Sequence, residues 1–138
     1  MDSLKSAYTG VHAMSLDSKN RLALPAKLKS IFAENAQHKE QVCALDIDPK
    51  RIIIADQDVL SDLIQDKDMR SLAPFIQPLS LKNDGRFVLS EDYRAHTGIH
   101  QDSRSAVFVG HNDHIAVYSE DDWNNYRENL LKTGLGQG

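Results

Sequence analysis

The chain has 138 residues, of which 41% are apolar and 26% charged, with a net charge of −4. That balance fits an ordinary soluble globular protein, one compact domain or two small ones, and excludes a globally basic protein. No apolar run approaches the ~20 residues that span a bilayer, the first six residues lack the apolar core of a secretory signal, and the single cysteine, Cys43, has no internal disulfide partner; a reducing cytoplasm is the expected compartment.

Residues 1–7 read as a flexible tail. Tyr8–Leu16 reads as a strand, Asp17–Asn20 as a tight turn, and Arg21–Leu24 as the return strand of a short hairpin. Pro25 suits the first turn of a helix, where its missing N–H is harmless. Leu28, Ile31 and Phe32, spaced i, i+3 and i+4, give that helix an apolar face. Val42–Ile47 and Arg51–Ala55 read as strands around the turn Asp48-Pro49-Lys50. Asp56 can cap a second helix, with Leu60, Leu63 and Ile64 as its buried stripe. The pattern then weakens, and Pro74 and Pro78 mark a joint.

The second half repeats this order. Strand Leu79–Leu81 leads into a turn and strand Arg86–Leu89. Ser90 caps the next helix, Glu91 and Asp92 favour its first turn, and Gly98 ends it. Ser105–Gly110 and Ile115–Tyr118 form a hairpin across His111-Asn112-Asp113-His114. Ser119 starts a last helix with capping-box spacing, and Trp123, Tyr126 and Leu130 line one of its faces. Residues 132–138 read as a second flexible tail.

The repetition extends to individual residues. Ser15, Leu16, Arg21 and Leu24 recur 65 positions later as Ser80, Leu81, Arg86 and Leu89, and Val42 recurs as Val107. With two residues removed from the second hairpin, Ile52 aligns with Ile115, Ile54 with Val117 and Leu60 with Trp123. Asn20 and Gly85 hold matching places, and both residue types tolerate the left-handed backbone of a tight turn. One strand–strand–helix–strand–strand–helix unit therefore occurs twice. Each is ~60 residues, marginal for folding alone; the two either share a core or each completes a barrel with its twin.

Charge gathers at the turns. Asp17, Lys19, Arg21, Lys27 and Lys29 give residues 15–33 a local balance of +3, whereas seven aspartates lie between Asp46 and Asp68. An arginine on a turn can fork onto guanine O6 and N7. Lys19, Lys27 and Lys29 are placed to meet phosphates, which add affinity without sequence information. Asp17, four residues before Arg21, can orient the guanidinium or cap the turn through its own backbone.

Other chemistry is thinly represented. His96 and His100 straddle the helix end at Gly98, and His111 and His114 sit in a hairpin turn; neither pair has a cysteine or carboxylate at metal-ligand spacing. There is no nucleophile elbow and no phosphate-binding glycine loop. No enzyme, cofactor, metal or small-molecule substrate is expected.

These motifs resemble the MraZ family. Tyr8 and Gly10 precede Leu16-Asp17-Ser18-Lys19-Asn20-Arg21, and Leu24-Pro25-Ala26-Lys27-Leu28-Lys29 follows. Asp84-Gly85-Arg86, Val107-Phe108-Val109-Gly110 and Trp123 resemble the family's second copy. The likeness spans roughly residues 8–131. It implies an α+β fold of two pseudo-symmetric AbrB-like β-β-α-β-β-α halves forming a small swapped-hairpin, barrel-like domain. Residues 8–65 form the first half, 66–78 the connector and 79–131 the second half. It further implies a cytoplasmic, nucleoid-associated transcriptional regulator that binds double-stranded DNA as a ring-shaped homo-oligomer. Tandem short repeats upstream of the division and cell-wall gene cluster are the implied target. The family's Asp-x-x-x-Arg signature falls on Asp17 and Arg21. The second copy keeps Arg86 but has Lys82 at the aspartate position, and Asn20 stands where a glycine is usual. The expected DNA-contacting set is Arg21, Arg86, Lys19, Asp17, Lys82, Asn20, Lys27 and Lys29. The competing expectation, motivated by the acidic net charge and Lys82, is a ring-forming interaction module with weakened DNA binding.

Overall fold

A computed structural model describes residues 8–35, 42–47, 51–56, 59–60, 62, 77–79, 84–111 and 113–131. The chain is α+β. Its strands are β1 (Val11–Ser15), β2 (Arg21–Ala23), β3 (Val42–Ile47), β4 (Arg51–Asp56), β5 (Gln77–Pro78), β6 (Arg86–Val88), β7 (Ser105–Gly110) and β8 (Ile115–Ser119). Three helices are α1 (Ala26–Asn35), α2 (Glu91–Thr97) and α3 (Glu120–Leu130). Residues 59, 60 and 62 are also helical, and Leu60 is buried as its place in the expected stripe requires. Leu63, Ile64 and both tails lie outside the described residues.

Local chemistry sets the helix ends. α1 begins directly after Pro25. Ser90 accepts a hydrogen bond from the Tyr93 N–H at 3.3 Å, and Gly98, at φ +79°, closes α2 by donating its N–H to the Arg94 carbonyl. Ser119 accepts from the Asp122 N–H at 3.1 Å and starts α3.

Among the described residues all strand pairings are antiparallel: six strands form one sheet in the order β1-β7-β8-β4-β3-β5, while β2 and β6 pair only with each other in a separate ribbon. Two expectations are corrected here. The arms of the first turn do not form a hairpin, because β1 pairs with β7 and β2 with β6. The sheet is also not closed into a barrel among the described residues. Its edges are β1 and β5, and the strands available to join them, β2 and β6, are taken up in the ribbon. β5 occupies Gln77–Pro78, where Pro78 is tolerated because β5 is an edge; of the strand expected at Leu79–Leu81, Leu79 follows β5 outside any strand, and Ser80 and Leu81 lie outside the described residues.

The centre of the sheet is covered on both faces, so every residue of β8 is buried. On one face Ala106, Phe108, Ile115 and Val117 join Ile52 and Ile54 in the main core, together with Leu22 and Phe87 of the ribbon. Phe87 meets Phe108 edge-on, with ring centroids 6.3 Å apart. On the other face Val107, Val109, Ala116 and Tyr118 receive Trp123 and Tyr126 of α3. The two rings lie 5.2 and 5.7 Å from Tyr118, which accounts for the aromatic stripe as packing. Gly110 lies against the backbone of Tyr8 and Thr9, and a Cβ there would fall 2.3 Å from the Thr9 nitrogen.

The ribbon's position follows from the alternation of its residues. Leu22 and Phe87 pair with each other and point into the core. Their neighbours Arg21, Ala23, Arg86 and Val88 therefore share the opposite, outer face.

Candidate functional site

The first turn is built on one carboxylate. Asp17 Oδ1 accepts the backbone N–H groups of Lys19 and Arg21 at 2.9 and 2.8 Å. Its Oδ2 accepts the Arg21 guanidinium Nε–H at 2.8 Å. Capping the turn and orienting the arginine are thus one arrangement. The Arg21 backbone N–H is the largest influence on the carboxyl; burial opposes it, and the guanidinium and the Lys19 N–H reinforce it. The net result holds Asp17 below its ordinary value of 3.8. Asn20 takes the left-handed backbone, φ +61°, and Gly85 does so at the matching place, φ +84°.

A residue far away in sequence completes this turn. The Gln101 side-chain amide donates to the Asp17 carbonyl and to Asn20 Oδ1, both at 2.8 Å. The neighbouring Arg104 donates to the Gln101 carbonyl at 3.1 Å, and its own carbonyl accepts from the Leu16 N–H. Nothing in the local sequence announces this contact, which bridges 84 residues.

The second turn uses a different carboxylate. Asp84, two residues before Arg86, accepts the Arg86 backbone N–H at 3.1 Å, and its Oδ2 lies 3.5 Å from the guanidinium Nε. The tripeptide Asp84-Gly85-Arg86 carried this signal. The position occupied by Lys82 is not the only one from which an aspartate can reach the arginine. The contact is longer and more open than in the first turn: the Arg86 side chain is 49% exposed, against 29% for Arg21.

The two turns meet across the ribbon. Arg21 faces Val88 and Ala23 faces Arg86, with Leu22 opposite Phe87 between them. Leu89 N–H donates to the Asn20 carbonyl and Leu24 N–H to the Gly85 carbonyl. This places Arg21–Val88 and Ala23–Arg86 at non-hydrogen-bonded positions, where facing side chains lie closest. The two arginines therefore occupy one diagonal of a four-residue face, and Ala23 and Val88 the other.

The remaining expected residues are distributed around this face. Lys19 is exposed on the first turn, and Lys27 is exposed near the start of α1. Lys29, also on α1, lies against the second turn, its Cδ 3.2 Å from where a Gly85 Cβ would stand. Lys82 lies outside the described residues.

Among the described residues no group of three or more His, Cys, Asp or Glu side chains is placed to hold a metal ion. His96 is in the last turn of α2, but His100 lies beyond the left-handed Gly98, which breaks helical i,i+4 geometry. The His111 and His114 rings stack with centroids 5.3 Å apart. Burial foremost, then the charges of His114 and Arg51, lowers the His111 pKa, against an opposing pull from Asp113. No described helix is long and apolar enough to cross a membrane.

Comparison with known proteins gives a consistent result. The family model for MraZ, described as "MraZ protein, putative antitoxin-like", matches residues 78–137. A transcriptional regulator MraZ of Corynebacterium kroppenstedtii is 26% identical over 126 residues, covering 87% of this chain and 86% of the relative. Those of Idiomarina loihiensis and Clostridium botulinum are each 28% identical. They cover 84% and 93% of this chain, and 82% and 92% of their own lengths.

Proposed function

We propose, from its similarity to the MraZ family over most of its length, that the chain is a cytoplasmic, non-enzymatic transcriptional regulator that binds double-stranded DNA in a sequence-specific manner. The observation that carries this reading is the outer face of the β2–β6 ribbon. It presents Arg21 and Arg86 together, each beside a carboxylate. A two-stranded ribbon fits the major groove, and arginine pairs bidentately with guanine there. Diagonal neighbours on such a ribbon are about 7–8 Å apart, somewhat less between Cβ atoms, roughly two base steps of about 3.4 Å. Lys19, Lys27 and Lys29 flank the face for phosphate contact.

The two halves are AbrB-like units related by a local two-fold. The registers support this. Leu22 pairs with Phe87, its equivalent 65 positions on, and Ile53 pairs with Ala116, its equivalent 63 positions on. The first strand of the first half also pairs with the third strand of the second, β1 with β7, and β5, at the end of the connector leading into the second half, pairs with β3, the third strand of the first. Residues 8–65 and 79–131 are these halves, joined by residues 66–78. The protein works as a ring-shaped homo-oligomer, which multiplies one small reading face into several at fixed spacing. Its target is a set of tandem short repeats upstream of the division and cell-wall gene cluster, within the nucleoid.

The test is affinity for repeat-bearing and scrambled duplexes at physiological salt. Arg21→Ala is expected to lose specific binding, about 1–3 kcal/mol per engaged site, with circular dichroism and oligomer mass unchanged. Arg86→Ala is expected to lose less. A folded Arg21→Ala protein that binds the repeats as tightly as the parent refutes the assignment.

A further inference from the structure

We infer that Val88 is a specificity-determining residue of the ribbon, and that the duplex it takes carries a thymine 5-methyl group one base step from the guanine engaged by Arg21. This rests on the ribbon being the DNA-reading face.

Val88 is 59% exposed, while its strand neighbours Phe87 and Leu89 are buried. It is not a loose end of the core, because alternation places it on the same side as the arginines. It faces Arg21 directly and lies two residues along β6 from Arg86, so it borders both cations. The face thus has hydrogen-bond donors on one diagonal and alkyl groups on the other. The major groove offers the matching pattern. Guanine presents the acceptors O6 and N7, and thymine presents a 5-methyl group beside its O4. Facing Cβ atoms at a non-hydrogen-bonded pair are about 4.5–5.5 Å apart, between one and two base-pair rises of about 3.4 Å. With Arg21 on one base pair, the adjacent pair is the nearest that the Val88 methyls can meet.

The local two-fold sharpens the point. Ala23 holds the equivalent place beside Arg86, and it carries one methyl group where Val88 carries two and reaches further from the backbone. The Arg21 end of the ribbon is therefore the end that discriminates thymine.

The experiment begins with a duplex enriched by the protein from a random pool. It is resynthesised with deoxyuridine replacing each thymine in turn, which removes only the 5-methyl group. Wild-type protein is expected to bind about fourfold more weakly when one particular thymine beside a guanine is replaced, the effect of one buried methyl-sized group. Val88→Ala is expected to bind the thymine and uracil duplexes alike. Wild-type protein indifferent to every uracil substitution, or Val88→Ala that still discriminates, overturns the inference while leaving the DNA-reading ribbon intact. Failure of the wild-type protein to enrich any duplex, or Arg21→Ala enriching the same duplex with undiminished affinity, overturns both. The uracil scan on wild-type protein needs no variant to fold.

Discussion

Replacing Gln101 with alanine tests whether the first turn is held from the other half of the chain. Its amide makes two hydrogen bonds of 2.8 Å, to the Asp17 carbonyl and to Asn20 Oδ1, at a part-buried position. A net hydrogen bond contributes about 0.5–1.5 kcal/mol, so Gln101→Ala is expected to cost about 1–3 kcal/mol. The lower half of that range is favoured, because water can reach the vacated partners. Asn20→Gly keeps the left-handed backbone, φ +61°, at no steric cost and removes only the side-chain acceptor. In the double variant the Asn20 bond is lost once, not twice. The coupling between the two sites is therefore expected at about 0.5–1.5 kcal/mol. Urea unfolding at fixed protein concentration measures it, with the midpoint of Gln101→Ala lowered by roughly 0.5–1.5 M at ordinary slopes. Additivity within about 0.3 kcal/mol would show that the bond does not contribute. The same variant is expected to lose cognate affinity more than scrambled-DNA affinity, because it disturbs how Arg21 is held and leaves alone Lys27 and Lys29, the proposed phosphate contacts on α1.

Binding is expected to weaken with salt at a slope of about −0.9 in log K against log concentration for each phosphate neutralised; fluorescence anisotropy at several salt concentrations measures it, and a flat response rejects the basic face. Burial, with the charges of His114 and Arg51, disfavours protonated His111. The folded state then binds fewer protons there than the unfolded state. Its contribution to stability is full above the ordinary imidazole value of 6.5 and declines as pH falls through it. Denaturation midpoints between pH 8 and pH 5 should show this, and His111→Gln should remove it. Gly110→Ala drives a Cβ to within 2.3–2.6 Å of the Tyr8 and Thr9 backbone. It should cost about 1–3 kcal/mol by overpacking in a thermal melt and speed amide exchange in β1.

What was legible in the sequence is what neighbours decide. Asn20, Gly85, Ser90, Gly98 and Ser119 each do in the fold what their chemistry allows within four residues along the chain. Asp17 and Arg21 are such a pair as well. The pairing of β1 with β7 and of β2 with β6 was not legible, because register across more than sixty residues is chosen by the partner strand and by burial. The same applies to Gln101. The open sheet follows from these choices: a turn whose arms run to different partners cannot form the hairpin that its sequence suggests. Asp84 was not legible as a partner for another reason: it acts from two residues before Arg86, whereas Asp17 stands four residues before Arg21.

The two turns share a repeat yet differ in how firmly they hold their arginines. Asp17 meets Arg21 at 2.8 Å with the turn pinned by Gln101, whereas Asp84 stands 3.5 Å from a more exposed Arg86. A side chain already held in place loses less conformational freedom on binding, so equal contacts with DNA give Arg21 the larger net gain. Arg86 remains freer to adjust, and the Lys29 side chain packs against Gly85 of the same turn. That combination suits a phosphate or a variable base better than a fixed one. The ribbon is thus symmetric in its backbone register and unequal in its chemistry: under the proposed DNA-reading role, Arg21 and Val88 would form a rigid reading end, and Arg86 and Ala23 an adaptable one. A face of that kind can distinguish the two directions of a non-palindromic repeat, which a perfectly two-fold ribbon cannot.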